Sequence, residues 1–171
     1  MGETIKDSKA RRFFETGAVR DIAEGKGRCD LLPLDVVAKL FGLVESEILL
    51  HINAYVRTGN INYLYYAIEL FIENYFNSSG DKTPANWMLD VAKHYEAGAN
   101  KYAERNWEKG IPLHCYIDSG VRHYLKFIAG WDDEKHDRAF LWNMMGAIWT
   151  HEHKPEMIDL PFAEKENKEN D

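Results

Sequence analysis

Two acidic side chains in the last third of the chain are the first candidates for chemistry. Glu134 and Asp137 are three positions apart, so on a helix they would lie about 60° from each other. Their shared side would be close to the apolar face that carries Leu141 and Met145. Because Mg²⁺ prefers carboxylate oxygens and bridges nucleotide phosphates, an inward pair of this kind would form half of a Mg²⁺ site. The helix macrodipole alone also favours acidic residues in a first turn, and this alternative stays open.

A second group combines cations with an aromatic ring. On a helix, Lys101 and Arg105 would line one edge of an apolar stripe, and Glu96 would lie at its other edge. Asn106 and Trp107 follow, and they are suited to hydrogen bonds with phosphate or base edges and to stacking of a nucleobase. The alternatives are structural, because cations are favoured near a helix C-terminus and a tryptophan also serves as a core residue.

A third group lies on the segment that follows. Asp118 precedes Arg122 by four positions, which is the favourable order for an intrahelical ion pair that would hold the guanidinium for a phosphate or for structure. His123 falls near the edge of the buried face, where a single histidine is more often a packing residue than a ligand. Asn143 follows Trp142, and a half-buried asparagine needs a partner from the protein or from a ligand.

Two weaker patterns complete the candidates. His136-Asp137 is a doublet found in metal-dependent phosphohydrolases, where His94 or His123 and Asp159 would be the further ligands. The run 25–28, Gly-Lys-Gly-Arg, resembles a phosphate-binding loop but lacks the spacing G-x-x-x-x-G-K-[ST] and a preceding strand. We interpret that run as a flexible basic segment that folds over a ligand.

The elements that position these residues are predicted to be helices. There is no internal repeat, and most glycines and prolines fall between periodic segments. Helices are predicted at 33–41, 45–57, 63–77, 84–102, 114–129 and from 132 or 133 to 151. Thr83 is the predicted N-cap of the fourth helix, and Asp132 or Asp133 that of the last. Residues 13–28 are predicted to be an irregular arm.

Composition predicts one domain. The 171 residues are 45% hydrophobic and 13% aromatic, which is enough for one core. We predict an all-α, single-domain helical bundle over 13–162, with a flexible N-terminus at 1–12 and a disordered acidic tail at 163–171. The longest mostly apolar stretch without a charge, 139–150, is shorter than the roughly 20 residues of a membrane span. With two cysteines and no secretion signal near the start, we expect a cytoplasmic protein.

The net charge and its distribution along the chain indicate which kinds of partner the protein binds. The net charge of −7 argues against duplex nucleic acid and anionic membranes. Within 98–126, however, five basic residues outnumber three acidic ones, which favours a small anionic ligand. The segment 63–72 is apolar on more than one face, so we expect a homodimer or higher oligomer.

Ordered motifs across 13–162 closely resemble one family of bacteriophage and prophage proteins. The motifs are Gly17-Ala18-Val19-Arg20-Asp21, Gly25-Lys26-Gly27-Arg28, Asp30-Leu31-Leu32-Pro33, His94-Tyr95-Glu96-x-Gly98-Ala99, Lys101-Tyr102, Arg105-Asn106-Trp107-Glu108-Lys109-Gly110, Asp118-Ser119 with Arg122-His123, and His136-Asp137-x-Ala139-x-x-Trp142-Asn143. The family is named dATP/dGTP diphosphohydrolase, N-terminal domain. Its name implies kinship with the all-α MazG-type pyrophosphohydrolases, whose signature is Glu-Glu-x-x-Glu on one helix and Glu-x-x-Asp on the next. Here Glu134-x-x-Asp137 matches the second half, and no Glu-Glu-x-x-Glu is present.

The resemblance implies a phage-encoded protein of the host cytoplasm that hydrolyses purine deoxynucleoside triphosphates between the α and β phosphates with Mg²⁺, or with Mn²⁺. The expected catalytic and metal-binding residues are Glu96, Glu134 and Asp137. The expected substrate-binding residues are Lys101, Arg105, Asn106, Trp107, Lys109, Arg122, His123, Arg138 and Asn143. One alternative is a protein that sequesters a nucleotide immune signal without hydrolysis. Another is an inhibitor of a host protein that acts through 63–76.

Overall fold

The computed structural model describes residues 9–76 and 84–163. The described chain begins with two short antiparallel strands, β1 (Arg11–Phe13) and β2 (Val19–Asp21), in which Arg12 pairs with Arg20. Gly17, at φ +81°, lies in the turn between them and donates its N–H to the carbonyl of Phe14. The sequence predicted an irregular arm over 13–28, which is wrong for β2 and for the end of β1, because strands of three residues are too short to show alternation.

The regular structure in the rest of the described chain is helical, which confirms the all-α class. The α-helices are α1 (Leu34–Val37), α2 (Leu43–Thr58), α3 (Asn62–Phe71), α4 (Pro84–Tyr102), α5 (Leu113–Ile128) and α6 (His136–His153). Short 3₁₀ segments lie at Cys29–Leu31, Ala38–Leu40, Asn106–Lys109 and Pro155–Met157, and a π-helical segment, Ile72–Phe76, continues α3. We refer to residues 9–32, which include both strands, as the arm.

Helices α2 and α3 form a hairpin at the predicted turn. Gly59 ends α2 in the left-handed region at φ 69° and donates its N–H to the carbonyl of Tyr55. A Cβ at Gly59 would meet the ring of Phe162 at 2.8 Å, so glycine serves both the backbone angle and the close approach of the last described helical residues. Leu64, Ala67 and Phe71 bury one face of α3.

The core is centred on α5 and α6. Tyr116 of α5 covers Gly146 of α6, where an added Cβ would lie 2.4 Å from the ring. Phe140 of α6 packs against Phe71, with ring centroids 4.7 Å apart. Such contacts leave little free volume, so the two helices form a rigid wall.

The start of α6 differs from the prediction. The helix begins at His136, and the preceding residue, Lys135, makes no side-chain cap. The predicted caps, Asp132 and Asp133, are therefore wrong, and Asp133 instead contacts Nε2 of His136 at 2.8 Å. Glu134 lies before the helix, so the predicted shared helical face with Asp137 is also wrong.

The first predicted helix is only partly confirmed, and some other predictions fall outside the described residues. The first predicted helix, 33–41, is a four-residue α-helix followed by a 3₁₀ turn. Thr83 and all but the first residue of the predicted tail lie outside the described residues, as do residues 1–8. Within the described residues, none of the helices is both long and apolar enough to cross a bilayer.

Candidate functional site

A cavity of about 840 Å³ lies between the arm and helices α4, α5 and α6. This volume is within the range of small-molecule sites in proteins, about 300–1,000 Å³. The apolar stripe of α4 reaches it, because Trp87 and Val91 are buried in the core whereas Tyr95 and Tyr102 line the cavity. One helix therefore provides both core and cavity wall.

The structure brings most of the predicted site residues to this cavity. Those that line it are Glu96, Arg105, Asn106, Trp107, Arg122, His123, Glu134 and Asn143. Those outside its lining are Lys101, Lys109, Asp137 and Arg138. The lining comes from α4, the loop after it, α5, the loop before α6 and α6 itself, so residues far apart in sequence meet there.

Arg20 of the arm is a cavity residue that the sequence did not single out. Its guanidinium lies over the rings of Tyr116 and Trp142, 5.2 and 5.5 Å from their centroids. Nη2 donates to Oδ1 of Asn143 at 2.9 Å, whereas Nη1 is buried without a hydrogen-bond partner in the part of the chain that the structure describes. A buried cation with an unused donor is costly unless an anion completes its coordination.

Arg122 connects α5 to the arm. It donates to the carbonyl oxygens of Lys26 and Gly27, at 3.2 and 3.1 Å, and it pairs with Asp118 as the i, i+4 spacing predicted. These bonds hold Lys26 at the cavity. Partial burial lowers the pKa of Lys26, the cations Arg122 and Lys101 lower it further, and Asp21 opposes them.

Three of the predicted substrate-binding residues dock the arm. Asn106 accepts the N–H of Val19 at 2.9 Å and donates to its carbonyl at 2.8 Å. Lys101 pairs with Asp21 at 2.7 Å, with only 7% of its side chain exposed. Lys109 reaches the carbonyl of Gly17 at 3.5 Å. These contacts fix the residues on both sides of Arg20 and so position its side chain.

Trp107 both packs and lines the cavity. Its ring meets Trp149 edge-on at 4.8 Å and Tyr95 at 5.8 Å, and the residue is half-buried. The neighbouring Arg105 lies in the left-handed region at φ 51°, and it pairs with Glu108 while 77% of its side chain is exposed. The ring of Trp107 is therefore held by its aromatic neighbours, whereas the guanidinium of Arg105 is largely solvated.

The histidines of the cavity are held neutral by burial. Burial lowers the pKa of His94 to about 4, and the cations Arg20 and Lys101 add to the effect. Burial, followed by the neighbouring His136, lowers the pKa of His123 well below its ordinary value. Nδ1 of His123 lies 3.0 Å from Nδ1 of His136.

Two of the three acidic candidates reach the cavity, and the third does not. Glu96 and Glu134 line the cavity, whereas Asp137 accepts the backbone N–H of Arg138 at 2.8 Å outside it. Arg138 in turn pairs with Asp90 at 3.4 Å. Among residues 9–76 and 84–163, no three histidine, cysteine, aspartate or glutamate side chains lie together as metal ligands would.

Two further cavity residues, Lys126 and Trp131, were not among the candidates, whereas His94 was named as a possible metal ligand. Lys126 lies over the ring of Trp131 at 4.8 Å, and both reach the rim of the cavity with His94 deeper inside. Lys26 lies in the basic run 25–28 that the sequence singled out, and Arg20 could have been selected from the glycine-containing motif before it. No local periodicity, however, indicates which side chains of so short a hairpin turn inward.

A family model described as "dATP/dGTP diphosphohydrolase, N-terminal" matches residues 73–160. This span contains α4, α5 and α6, whereas the arm lies before it. Neither the curated proteins nor the solved structures gave a significant match to the chain.

Proposed function

The chain belongs to the dATP/dGTP diphosphohydrolase N-terminal family, and from this premise we propose that its cavity binds a purine deoxynucleoside triphosphate and that the protein hydrolyses it between the α and β phosphates. The observation that carries the proposal is the buried Nη1 of Arg20 at the cavity, which has no hydrogen-bond partner among the described residues. A phosphate oxygen would supply the missing acceptor, because guanidinium and phosphate form strong charge-assisted hydrogen bonds.

Other groups support the same ligand. Lys26, Arg105, Arg122 and Lys126 line the cavity with Arg20, so cations surround the space from both the arm and the helices. We propose that they neutralise the triphosphate. The volume of about 840 Å³ is large enough for a nucleotide.

Trp107 is the proposed stacking ring for the base. The variant Trp107→Ala should lose about 1–3 kcal/mol of nucleotide affinity, on the scale of a base-stacking contact. Because Trp107 also packs against Trp149, melting curves of the free protein must accompany the titration. Trp131→Ala is the matched comparison, since Trp131 lines the rim and is 58% exposed. Normal affinity in a destabilised Trp107→Ala would assign this ring to packing alone.

Mg²⁺ dependence, with Mn²⁺ as a substitute, is part of the proposal. Mg²⁺ is commonly held by one or two carboxylates together with substrate phosphates rather than by a complete protein cage. The two cavity carboxylates, Glu96 and Glu134, fit an ion that arrives with the nucleotide, whereas Asp137 lies outside the cavity lining. When bound, the ion would neutralise phosphate charge. The protein's own contribution would be to orient the triphosphate through its cations.

The deciding experiment is a phosphate-release assay coupled to pyrophosphatase, over the eight common NTPs and dNTPs, with Mg²⁺ and with Mn²⁺. We expect turnover of purine deoxynucleotides and a loss of about 100-fold in kcat/KM for Arg20→Gln. Arg57→Gln is the control, because Arg57 is exposed on α2 away from the cavity. Absence of turnover with all eight nucleotides would overturn hydrolysis.

A second candidate function is sequestration of a nucleotide, such as an immune signal of the host, without hydrolysis. The absence of a three-ligand acidic cluster in the described residues, beside several cations at the cavity, favours it. Calorimetry separates the two functions with Glu134→Gln, Glu96→Gln and Asp137→Asn. In an enzyme, a variant that removes a catalytic carboxylate would lose turnover in the phosphate-release assay. In a sequestering protein, all three variants would bind the nucleotide equally well or better.

Phage origin, action in the host cytoplasm and a homo-oligomeric state complete the proposal. Exposed apolar side chains near the start of α2, at Leu40 and Leu43, support self-association. Light scattering at micromolar concentration tests this last point, and a mass near 19.8 kDa would reject it.

A further inference from the structure

Three side chains form a hydrogen-bonded row that ends at the cavity. Oδ1 of Asp133 lies 2.8 Å from Nε2 of His136, and Nδ1 of His136 lies 3.0 Å from Nδ1 of His123. His136 is 2% exposed, so water does not compete for its ring nitrogens. Lys126 approaches the other oxygen of Asp133 at 3.3 Å, which favours the ionised carboxylate.

The chemistry of the groups determines where the protons lie. An ionised carboxylate only accepts, so Nε2 of His136 must carry a proton. With one ring proton, which the carboxylate of Asp133 holds on Nε2, His136 has a lone pair on Nδ1. His123 must therefore donate from Nδ1, and its own Nε2 keeps a lone pair.

This Nε2 is available to a ligand. His123 lines the cavity, and within the described part of the chain its Nε2 has no hydrogen-bond partner. The nearby side chains Arg122 and Lys126 carry only N–H donors. The lone pair on Nε2 of His123 cannot bind an ionised phosphate oxygen, because both groups only accept. It can accept a hydrogen bond from an N–H or O–H group of a ligand.

We infer that Asp133 and His136 fix His123 as a hydrogen-bond acceptor for a donor group of the ligand, either the exocyclic amine of the base or the sugar 3′-hydroxyl. Asp133 and His136 would then be positioning residues, and His123 a specificity-determining one. The identity of the ligand rests on the proposed function, whereas the proton positions do not.

The proton positions are tested first, by ¹⁵N NMR of the ligand-free protein at pH 8. We expect His123 protonated at Nδ1 and His136 at Nε2. In Asp133→Asn the amide can donate or accept, so the single tautomer of His123 should give way to a mixture. Asp132→Asn, the same change at the exposed neighbouring residue, should leave the spectrum unchanged. A proton on Nε2 of His123 in the unmodified protein would overturn the inference.

The donor is then identified by binding of dATP analogues in which a methylene group replaces the oxygen between the α and β phosphates. One analogue keeps both donors, one lacks the 6-amino group and one lacks the 3′-hydroxyl. We expect one deletion to weaken binding roughly tenfold in the unmodified protein and in Asp132→Asn, and much less in Asp133→Asn. Equal binding of all three would overturn the contact to His123. Failure of all three to bind would reject the proposed function and the nucleotide donor, while the spectra still decide the tautomers.

Discussion

The two sides of the cavity are held in place by different interactions. The helical side rests on buried aromatic contacts, such as Phe140 against Phe71. Within the described arm, Ala18 is the fully buried apolar residue, and Asn106, Lys101 and Arg122 hold the arm by polar contacts. Burial of large apolar side chains contributes more stability than partly solvated polar contacts. The helices thus form a rigid wall. The arm places cations beside this wall, but the interactions that hold the arm are weaker.

The largest effect is expected on the free energy of unfolding, when a phenylalanine is replaced by alanine on each of the two sides. Phe140→Ala should cost about 3–5 kcal/mol of unfolding free energy, because it opens a cavity among fully buried rings. Phe13→Ala in the arm should cost less than about 0.5 kcal/mol, because that ring is 74% exposed. Urea denaturation measures both. Similar costs would show that the arm shares the core.

The next effect concerns acid stability of the helical side. The pKa of His94 is about 4 in the folded protein, against an ordinary value of 6.5. The unfolded chain therefore binds the proton first, so stability is complete above pH 6.5 and is lost as the pH falls toward 4. The loss is about 3 kcal/mol from this group, and His123 acts in the same direction.

Denaturation at a series of pH values measures this slope. His94→Gln should make the slope shallower between pH 6.5 and 4, because glutamine does not titrate. If the variant and the unmodified protein lose stability in parallel over this window, His94 is not buried in neutral form.

A smaller effect is expected where the arm docks. Asn106→Ala removes both bonds to Val19, which should weaken docking by about 1–3 kcal/mol while the helices stay folded. Limited proteolysis should then cut within residues 9–32, and nucleotide affinity should fall as Arg20 loses its position. Asn100→Ala, at an exposed site on α4, is the control. An intact arm in Asn106→Ala would contradict docking by this side chain.

The smallest effect is expected at Arg105. Its exposed pair with Glu108 is worth less than about 1 kcal/mol, so Arg105→Ala should hardly change the urea midpoint. If Arg105 contacts phosphate, the same variant should nevertheless weaken nucleotide binding, most clearly at low salt. Unchanged binding at low salt would remove Arg105 from the site.

The sequence by itself determined the helical class and the positions of α4, α5 and α6 to within a few residues at most ends. Those features depend on periodicities of three to four residues, which are local. The ion pair between Asp118 and Arg122 follows from the same spacing. Helix ends were less predictable. Asp133 could either cap the helix or bond to the ring of His136, and in the structure it bonds to His136.

The tertiary structure alone decided what the polar candidates do. Lys101 and Asn106 looked suited to a ligand, yet in the folded chain they hold the arm, because their nearest partners come from about 80 residues away. Arg20 reaches Asn143 across 123 positions, which no local pattern encodes. A side chain's type limits the bonds it can make. Which partner it meets depends on how distant segments pack, and that packing is set by the buried apolar contacts of the helices.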